Sequence, residues 1–450
     1  MKDHPFDNGG GGWACEPWFQ KDMDITPEYA KEQAAVSNKA VYIVGRTAGE
    51  DKDNYNGEGS YLLTKEELSN IKSITEAFED VCVILNVSNT IDMKWMNDSQ
   101  FNGKIKAVAY VWSGGMEGGN AVADVLSGKE TPSGKLPDTI AENLEDYPSN
   151  DNFGDPLTNL YQEDIYVGYR YFETFAPEKV MFEFGYGISY TTFDIETVSA
   201  KEDAGKIKLE VKVTNTGDKF AGKEVVQVYY SAPQGKLGKP VKELVAYAKT
   251  DKLAPKESQT LSIEFNVNDM TSYDDSGATG HKSCYVLEAG DYVIYVGNSV
   301  RNVKDVLTYK LDELKVVEEL SEVMCPNDDN LTILRPGNKK ADGTFEKEYV
   351  PSQKPTVDMA NRIEENLPKS MPITGDKGIT LQDVHEGKNS LDDFVAQLTV
   401  EEMAQIIRGE GMSNPRVTQG TASAFGGISD ALFNYGIPAA CTADGPSGLR

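Results

Sequence analysis

Apolar residues fall along this chain in different rhythms, and the rhythm changes near residue 193. Before it, they come as short unbroken runs: Val41 to Val44, Val81-Cys82-Val83-Ile84-Leu85-Asn86-Val87, and Ile105 to Trp112. Runs of strand length without polar alternation predict strands buried in a parallel sheet. The intervals between them can hold helices. Thr26-Pro27-Glu28 supplies an N-cap, a proline at the first helical position and an acidic first turn. Thr64-Lys65-Glu66-Glu67 is a capping box, and Ala121 to Leu126 reads as a further helix. Strand followed by helix, repeated, predicts an α/β domain over residues 1–192.

From Phe193 to Leu311 the period shortens. Ile207, Leu209, Val211 and Val213 alternate with Lys208, Glu210 and Lys212 before Asn215-Thr216-Gly217-Asp218 turns the chain, and Val225 to Tyr230, Leu261 to Val267 and Tyr292 to Val296 repeat the strand-turn beat. Residues 193–311 therefore predict a seven-strand sandwich resembling fibronectin type III. Residues 312–388 lose the beat: Pro326, Pro336, Pro351, Pro355, Pro368 and Pro372 interrupt polar stretches, as in a long connector wrapping over other domains. Order resumes over 389–450. Leu391, Phe394, Val395 and Leu398 recur at helical spacing, and Thr399-Val400-Glu401-Glu402 caps a helix over Met403 to Arg408. Tyr435 to Ala443 then forms a short apolar strand that ends in Asp444-Gly445-Pro446-Ser447-Gly448-Leu449-Arg450.

Composition narrows the chemistry. The chain has 450 residues, 39% hydrophobic, room for two or three domains with full cores. Its 44 basic and 72 acidic residues leave a net charge of -28, which repels phosphate backbones and anionic lipid, so neither nucleic acid nor membrane is an expected partner. A neutral ligand such as a sugar is compatible with that charge. Cys15, Cys82, Cys284, Cys325 and Cys441 are scattered without a CxxC pair, and His4, His281 and His385 have no ligand partner at useful spacing. No metal site, cofactor or disulfide framework is expected. The thiols, and an N-terminus without the apolar core of a signal peptide, point to the cytoplasm.

Three stretches carry candidate chemistry. Gly45-Arg46-Thr47-Ala48-Gly49-Glu50 leaves the carboxyl end of the first predicted strand, where ligands of open α/β sheets gather. From the local pattern alone this is a solvated acidic turn. Ser113-Gly114-Gly115-Met116-Glu117-Gly118-Gly119-Asn120 superficially suggests a phosphate-cradling loop, but its spacing departs from GxxxxGK[ST] and GxGxxG, which favours a tight packing turn. The aromatics of Tyr161 to Phe172 and Phe182 to Phe193 suit either a sugar platform or a seal between domains, the seal being favoured.

Gly45 to Glu50 followed by Gly59-Ser60-Tyr61-Leu62-Leu63-Thr64 resembles the acid/base loop of family 3 glycoside hydrolases, and Gly114 to Gly128, continued by Thr131-Pro132-Ser133-Gly134-Lys135-Leu136-Pro137, resembles the sandwich domain that bears it. Thr399 to Gly411, followed by Tyr435 to Arg450, resembles the opening of the family's catalytic (β/α)8 barrel. The resemblance implies a retaining β-glucosidase acting on a small β-linked glycoside, with β-xylosidase as a related alternative. It places the catalytic acid/base at Glu50, the carboxylate that binds the sugar's 4- and 6-hydroxyls at Asp444, and a pocket-shaping side chain at Arg450. The order, sandwich then β domain then barrel, is similar to the circularly permuted branch of the family. A barrel needs about 250 residues, so an incomplete barrel is expected over 389–450, with the nucleophilic Asp beyond Arg450. Strands normally upstream of the acid/base loop are also absent. The reading is thus of a chain truncated at both ends and inactive alone, with the rest of the barrel or a second chain as partner. A non-catalytic sugar-binding or scaffold module and a nucleotide-dependent α/β protein are the alternatives from other classes.

Overall fold

The computed structural model describes residues 5–12, 15–47, 52–412, 414–418 and 421–443. It divides into two compact units, Met1–Val357 and Asp358–Arg450.

The first unit opens with α1 (Pro27–Ala34), β1 (Lys39–Gly45), α2 (Lys65–Ala77), β2 (Asp80–Asn86), β3 (Ile105–Tyr110) and α3 (Gly118–Leu126). Thr26 caps α1 by accepting from the Tyr29 N–H, and Thr64 and Glu67 close a reciprocal capping box on α2. The strands pair in parallel in the order β1-β2-β3. Central β2 buries residues on both faces, as its unbroken apolar run predicts. Edge strand β1 does not: Tyr42 and Val44 are buried, whereas Val41 and Ile43 are 51% and 56% exposed. Only the face turned to α2 joins the core of Val44, Ile71, Ile74, Val81, Val83 and Leu85. The short strands β4 (Ile140–Ala141) and β5 (Val180–Phe182) pair antiparallel, and α4 (Tyr169–Phe175) lies between them in sequence.

Next come β6 (Phe193–Asp203), β7 (Lys206–Asn215), β8 (Val225–Ser231), β9 (Glu243–Lys249), β10 (Ser258–Asn266), β13 (Gly290–Gly297) and β14 (Val303–Leu311). They form a three-stranded sheet, β10-β7-β6, and a four-stranded sheet, β14-β13-β8-β9, the seven strands expected from the alternation. Ile207, Leu209, Val211 and Val213 fill the space between the sheets with Ile263, Phe265, Val226, Val228 and Ile294. Strand β8 is buried on both faces. Its outer side chain Tyr229 meets Tyr169 of α4 edge-on at 6.1 Å, and the Tyr169 hydroxyl accepts from the Leu244 N–H at 2.9 Å. The aromatic segment therefore seals the α/β layer to the sandwich.

The stretch expected to be a plain connector is more structured than its prolines suggest. β11 (Ser272–Asp274) and β12 (Cys284–Leu287) form a sheet with β15 (Lys315–Glu319), and β16 (Thr332–Lys339) pairs with β17 (Phe345–Pro351) as a hairpin. The hairpin packs Leu334 and Phe345 into a core with Tyr166, Tyr171, Phe172 and Phe175. The Leu334 N–H donates to the Gln162 carbonyl at 2.7 Å, and Lys347 donates to the Tyr171 hydroxyl at 2.6 Å. Charged Glu346, Lys347 and Glu348 on β17, and Pro336 in β16, hide both strands from a hydrophobic reading. Leu334→Ala is expected to cost about 2–5 kcal/mol, seen as faster proteolysis between residues 332 and 351.

The second unit holds α5 (Met359–Glu365), α6 (Leu381–His385), α7 (Leu391–Ala396), α8 (Val400–Arg408), β18 (Ser423–Gly426), α9 (Asp430–Asn434) and β19 (Ala439–Thr442). Thr399 and Glu402 form the capping box of α8, which starts at Val400, ahead of the Met403 read from the sequence. Phe394 and Leu398 are buried, and Phe394 meets Tyr435 edge-on at 6.2 Å. Gln397 ties the unit together: its carbonyl oxygen accepts from the Lys377 and Ile379 N–H groups, and its amide donates to the Ile379 carbonyl. β18 and β19 pair antiparallel, whereas the strands of a (β/α)8 barrel run parallel.

Candidate active site

The carboxyl ends of the three parallel strands lie side by side, and the loops that leave them are bonded together. Gly45 is in register with Asn86, and the Arg46 N–H donates to the Asn86 carbonyl at 3.1 Å. The Asn86 amide donates to the Trp112 carbonyl at 2.6 Å, past the end of β3. From β1 the chain makes its long excursion to α2. The outgoing foot is held by Thr47, whose N–H donates to the Trp18 carbonyl at 2.8 Å and whose hydroxyl donates to the Pro17 carbonyl at 2.5 Å. On the return limb the Ser60 hydroxyl bonds the Asn54 side chain and accepts from the Tyr55 N–H, while the Tyr61 carbonyl accepts from the Asp92 N–H at 2.8 Å. Gly59 has φ +77° and lies flat against Phe19, where a Cβ would come within 2.0 Å of the ring, so glycine is required.

Arg46 stands at the base of this loop with its side chain fully buried, paired with a Glu67 side chain that is 5% exposed. Its Nη1 donates to Glu67 at 2.5 Å and to the Gly45 carbonyl at 2.9 Å, and its Nη2 donates to the other Glu67 oxygen at 2.9 Å and to the Leu62 carbonyl at 3.3 Å. Beside the return limb opens a groove of about 540 Å³ whose lining includes Glu58, Leu62, Asp92, Lys94 and Trp95. Burial pushes the Asp92 carboxyl up, against the pull of the neighbouring Lys94 N–H and ammonium. Among the described residues no group of three or more His, Cys, Asp and Glu is placed to hold a metal ion. No described helix is long and apolar enough to cross a membrane.

Glu50, Asp444 and Arg450, the acid/base and sugar-binding residues expected from the sequence, lie outside the described residues. The described structure supplies the frame on either side of Glu50. Arg46 and Glu67 are the members of that frame that sequence reasoning missed. Arg46 enters the sequence reading only as one residue of the Gly45 to Glu50 stretch, and Glu67 only as the last member of a capping box. The glycine-rich segment from Ser113 is a tight but largely exposed turn into α3, with open space beside Gly115, Gly118 and Gly119. Gly114 abuts the backbone of Gly118, leaving no room for a Cβ, and the carboxylate of Glu117 stands at the start of α3, where a phosphate would be repelled. Tyr166, Tyr171, Phe172 and Phe175, in and beside the aromatic segment, are buried in the hairpin core, which removes them from any sugar platform.

Comparison with known proteins points the same way. The profile of the glycosyl hydrolase family 3 C-terminal domain matches residues 19–190, and that of a fibronectin type III-like domain matches residues 224–300. The chain is 47% identical over 450 residues to a beta-glucosidase of Ruminococcus albus, covering all of this chain and 46% of that protein. It is 39% identical to beta-glucosidase A of Butyrivibrio fibrisolvens, covering 96% of this chain and 57% of that one. The crystal structure of a beta-glucosidase from Paenibacillus barengoltzii superposes with a TM-score of 0.94 at 57% identity, over 99% of this chain and 49% of that one. Beta-glucosidase 3B of Thermotoga neapolitana, solved with glucose, gives a TM-score of 0.61 at 33% identity over 70% of this chain and 43% of that one. The chain thus spans about half the length of the relatives it matches. With the C-terminal domain profile lying on the parallel sheet and its loop, and the fibronectin-like profile on the sandwich behind it, the chain belongs to glycoside hydrolase family 3.

Proposed function

We propose that this chain provides the acid/base half of a retaining β-glucosidase that removes terminal β-D-glucosyl residues. The observation that carries the reading is the 47% identity that runs along the whole of this chain and covers 46% of the Ruminococcus albus beta-glucosidase. A rigid, buried anchor at the base of the Glu50 loop supports it. In this reading Glu50, as a carboxylic acid, donates its proton to the glycosidic oxygen while a carboxylate not assigned in this chain attacks the anomeric carbon. The C–O bond breaks, the aglycone leaves as a neutral alcohol, and a glycosyl-enzyme ester forms. Glu50, now a carboxylate, takes a proton from water as the water oxygen attacks the anomeric carbon; the anomeric C–O bond of the ester breaks, the nucleophilic carboxylate is regenerated, and glucose leaves with the β configuration.

Residues 1–192, 193–311, 312–388 and 389–450 are proposed as sandwich domain, β domain, connector and the opening of the catalytic barrel. Asp444, past the end of β19, is proposed to accept hydrogen bonds from the 4- and 6-hydroxyls of the sugar, with Arg450 shaping the pocket. This assignment separates β-glucosidase from β-xylosidase, because a xyloside lacks the 6-hydroxyl. In the protein that carries this chain, kcat/KM should be higher for 4-nitrophenyl β-D-glucoside than for the xyloside. Asp444→Ala should lower the glucoside value by about 10- to 100-fold, the worth of hydrogen bonds to a charged group, and the xyloside value by less. Equal losses on both substrates, or a preference for xyloside in the unmodified protein, would refute the assignment.

A further inference from the structure

The groove beside the return limb lies at the edge of the sheet where ligands of open α/β folds gather. One wall, with Glu58, Leu62, Lys65 and Leu68, belongs to the loop that leaves the carboxyl end of β1 and to the first turn of α2. The other, from Asp92 to Gln100, belongs to the loop that leaves the carboxyl end of β2. Both walls are preformed. The Asp92 N–H donates across the seam to the Tyr61 carbonyl at 2.8 Å, and the Gly59 N–H donates to the Leu62 carbonyl at 2.9 Å within the first wall. In the second wall Met93, Trp95 and Phe101 are buried as anchors, and the Trp95 indole N–H donates to the Asp92 carbonyl at 2.8 Å. The Asp98 carboxylate accepts from both the backbone N–H and the side-chain amide of Gln100. The space of about 540 Å³ held open in this way is of ligand size, about 300–1,000 Å³ being usual.

The polar groups of the groove select the class of ligand. Its carboxylates, Glu58, Asp92 and Asp98, repel an anion, and its ammoniums are already engaged, Lys65 with Glu58 at 3.1 Å and Lys94 with the Asn143 side-chain oxygen at 2.9 Å. The same ammoniums repel a cation. Asp92 is the least satisfied group. Its side chain is 13% exposed, the Lys94 ammonium stands 3.9 Å away, and the Lys94 N–H reaches its Oδ1 only at 3.4 Å. Among the described residues nothing donates to its Oδ2. A carboxylate withdrawn from water with an unused oxygen is costly until a donor arrives, and hydroxyl groups are donors that bring no charge. Half-buried Leu62 and Leu68, with the edge of Trp95, supply apolar surface for the C–H groups of a ring. We propose that this groove binds a sugar ring, a glucosyl unit of a β-linked oligosaccharide, with neighbouring hydroxyls donating to Asp92; the identity of the sugar rests on the β-glucosidase reading.

The test uses the protein that carries this chain and thiocellobiose, in which sulfur replaces the linking oxygen so that the probe is not turned over. Amide hydrogen exchange is followed in residues 62–68 and 92–101, the two walls of the groove. Saturating probe should slow exchange in both segments several-fold. Asp92→Ala should weaken the Kd read from that protection by about 10- to 100-fold, the worth of hydrogen bonds to a charged group. Asp92→Asn, which keeps the shape and one acceptor and serves where the alanine variant fails to fold, should weaken it by less. No protection in either wall, or protection undiminished in the Asp92 variants, would overturn the proposal; so would protection by phenol and not by the sugar, which would make the groove a site for apolar rings. Hydrolysis of phenyl β-D-glucoside is measured in the same preparation. Turnover without protection removes the groove assignment alone, whereas protection without turnover leaves the sugar groove standing and removes the β-glucosidase reading.

Discussion

Glu50→Gln should slow glycosylation by phenyl β-D-glucoside by about 10²–10⁴-fold, the range that a positioned general acid contributes, while 2,4-dinitrophenyl β-D-glucoside should be attacked at close to the parent rate. Phenoxide is a poor leaving group and needs the proton as the C–O bond breaks; dinitrophenoxide is stable as an anion and does not. The second half of the reaction offers an independent check. With Glu50→Ala, the base that activates water is gone and the glycosyl-enzyme should accumulate. Azide needs no deprotonation and carries its own charge into the space left by the carboxyl, so adding it should restore turnover and yield β-D-glucosyl azide. Retention at the anomeric carbon follows from two successive inversions. A uniform loss on both substrates with no azide product would remove Glu50 from the acid/base role.

The largest effect on folding is expected at the buried pair between Lys239 and Glu288 in the sandwich. Both side chains are under a tenth exposed, and the lysine ammonium also donates to the Pro233 carbonyl at 3.0 Å. Glu288 accepts from the Lys236 N–H at 2.7 Å, while its own carbonyl accepts from the buried Tyr292 hydroxyl at 3.0 Å. Lys239→Met should destabilise the domain by about 3–5 kcal/mol, because it leaves a buried carboxylate without its counter-ion. Lys239→Met/Glu288→Gln should recover much of that loss. The chain has more than one unit, so a single unfolding midpoint is a poor readout; hydrogen exchange of the Tyr292–Val296 amides in β13 reports this core directly. Burial raises the Glu288 carboxyl, but the Lys239 ammonium and the backbone N–H groups of Lys236 and Leu237 more than offset it and hold it below the usual carboxylate range. The folded state therefore binds the proton less readily than the unfolded chain. Its contribution is complete above about pH 4.3, the ordinary glutamate value, and is lost as pH falls through the depressed folded value. In the double variant that acid sensitivity should shrink.

The α/β layer and the sandwich were legible because their signals are local. Thr26, Thr64 and Thr399 announce helix starts through bonds that span three residues, and the alternation from Ile207 to Val213 states which face of β7 is buried. The hairpin of β16 and β17 was not legible. Its strands bury only Leu334 and Phe345, and the partners that make them a core sit in and beside α4, more than 150 residues earlier in the chain. The edge exposure of Val41 and Ile43 was hidden for a related reason. An unbroken apolar run specifies a strand, but whether its second face is covered depends on neighbours that the run itself does not encode.

The candidate site divides along the same line. The sequence by itself determined that a loop with the character of a family 3 acid/base segment leaves the first strand, that Glu50 is the group to test in it, and that Thr64 to Glu67 opens the next helix. These depend on residue type and short spacing, which the chain carries in one dimension. Only the tertiary structure decided that Glu67 has a second task, with the oxygens of its carboxylate shared between the helix cap and Arg46, and that the aromatics around α4 serve as a seal. The parallel pairing of β1 with β2 sets the end of one strand beside the start of the following helix, and a buried guanidinium can choose its carboxylate only after that pairing has excluded water from both.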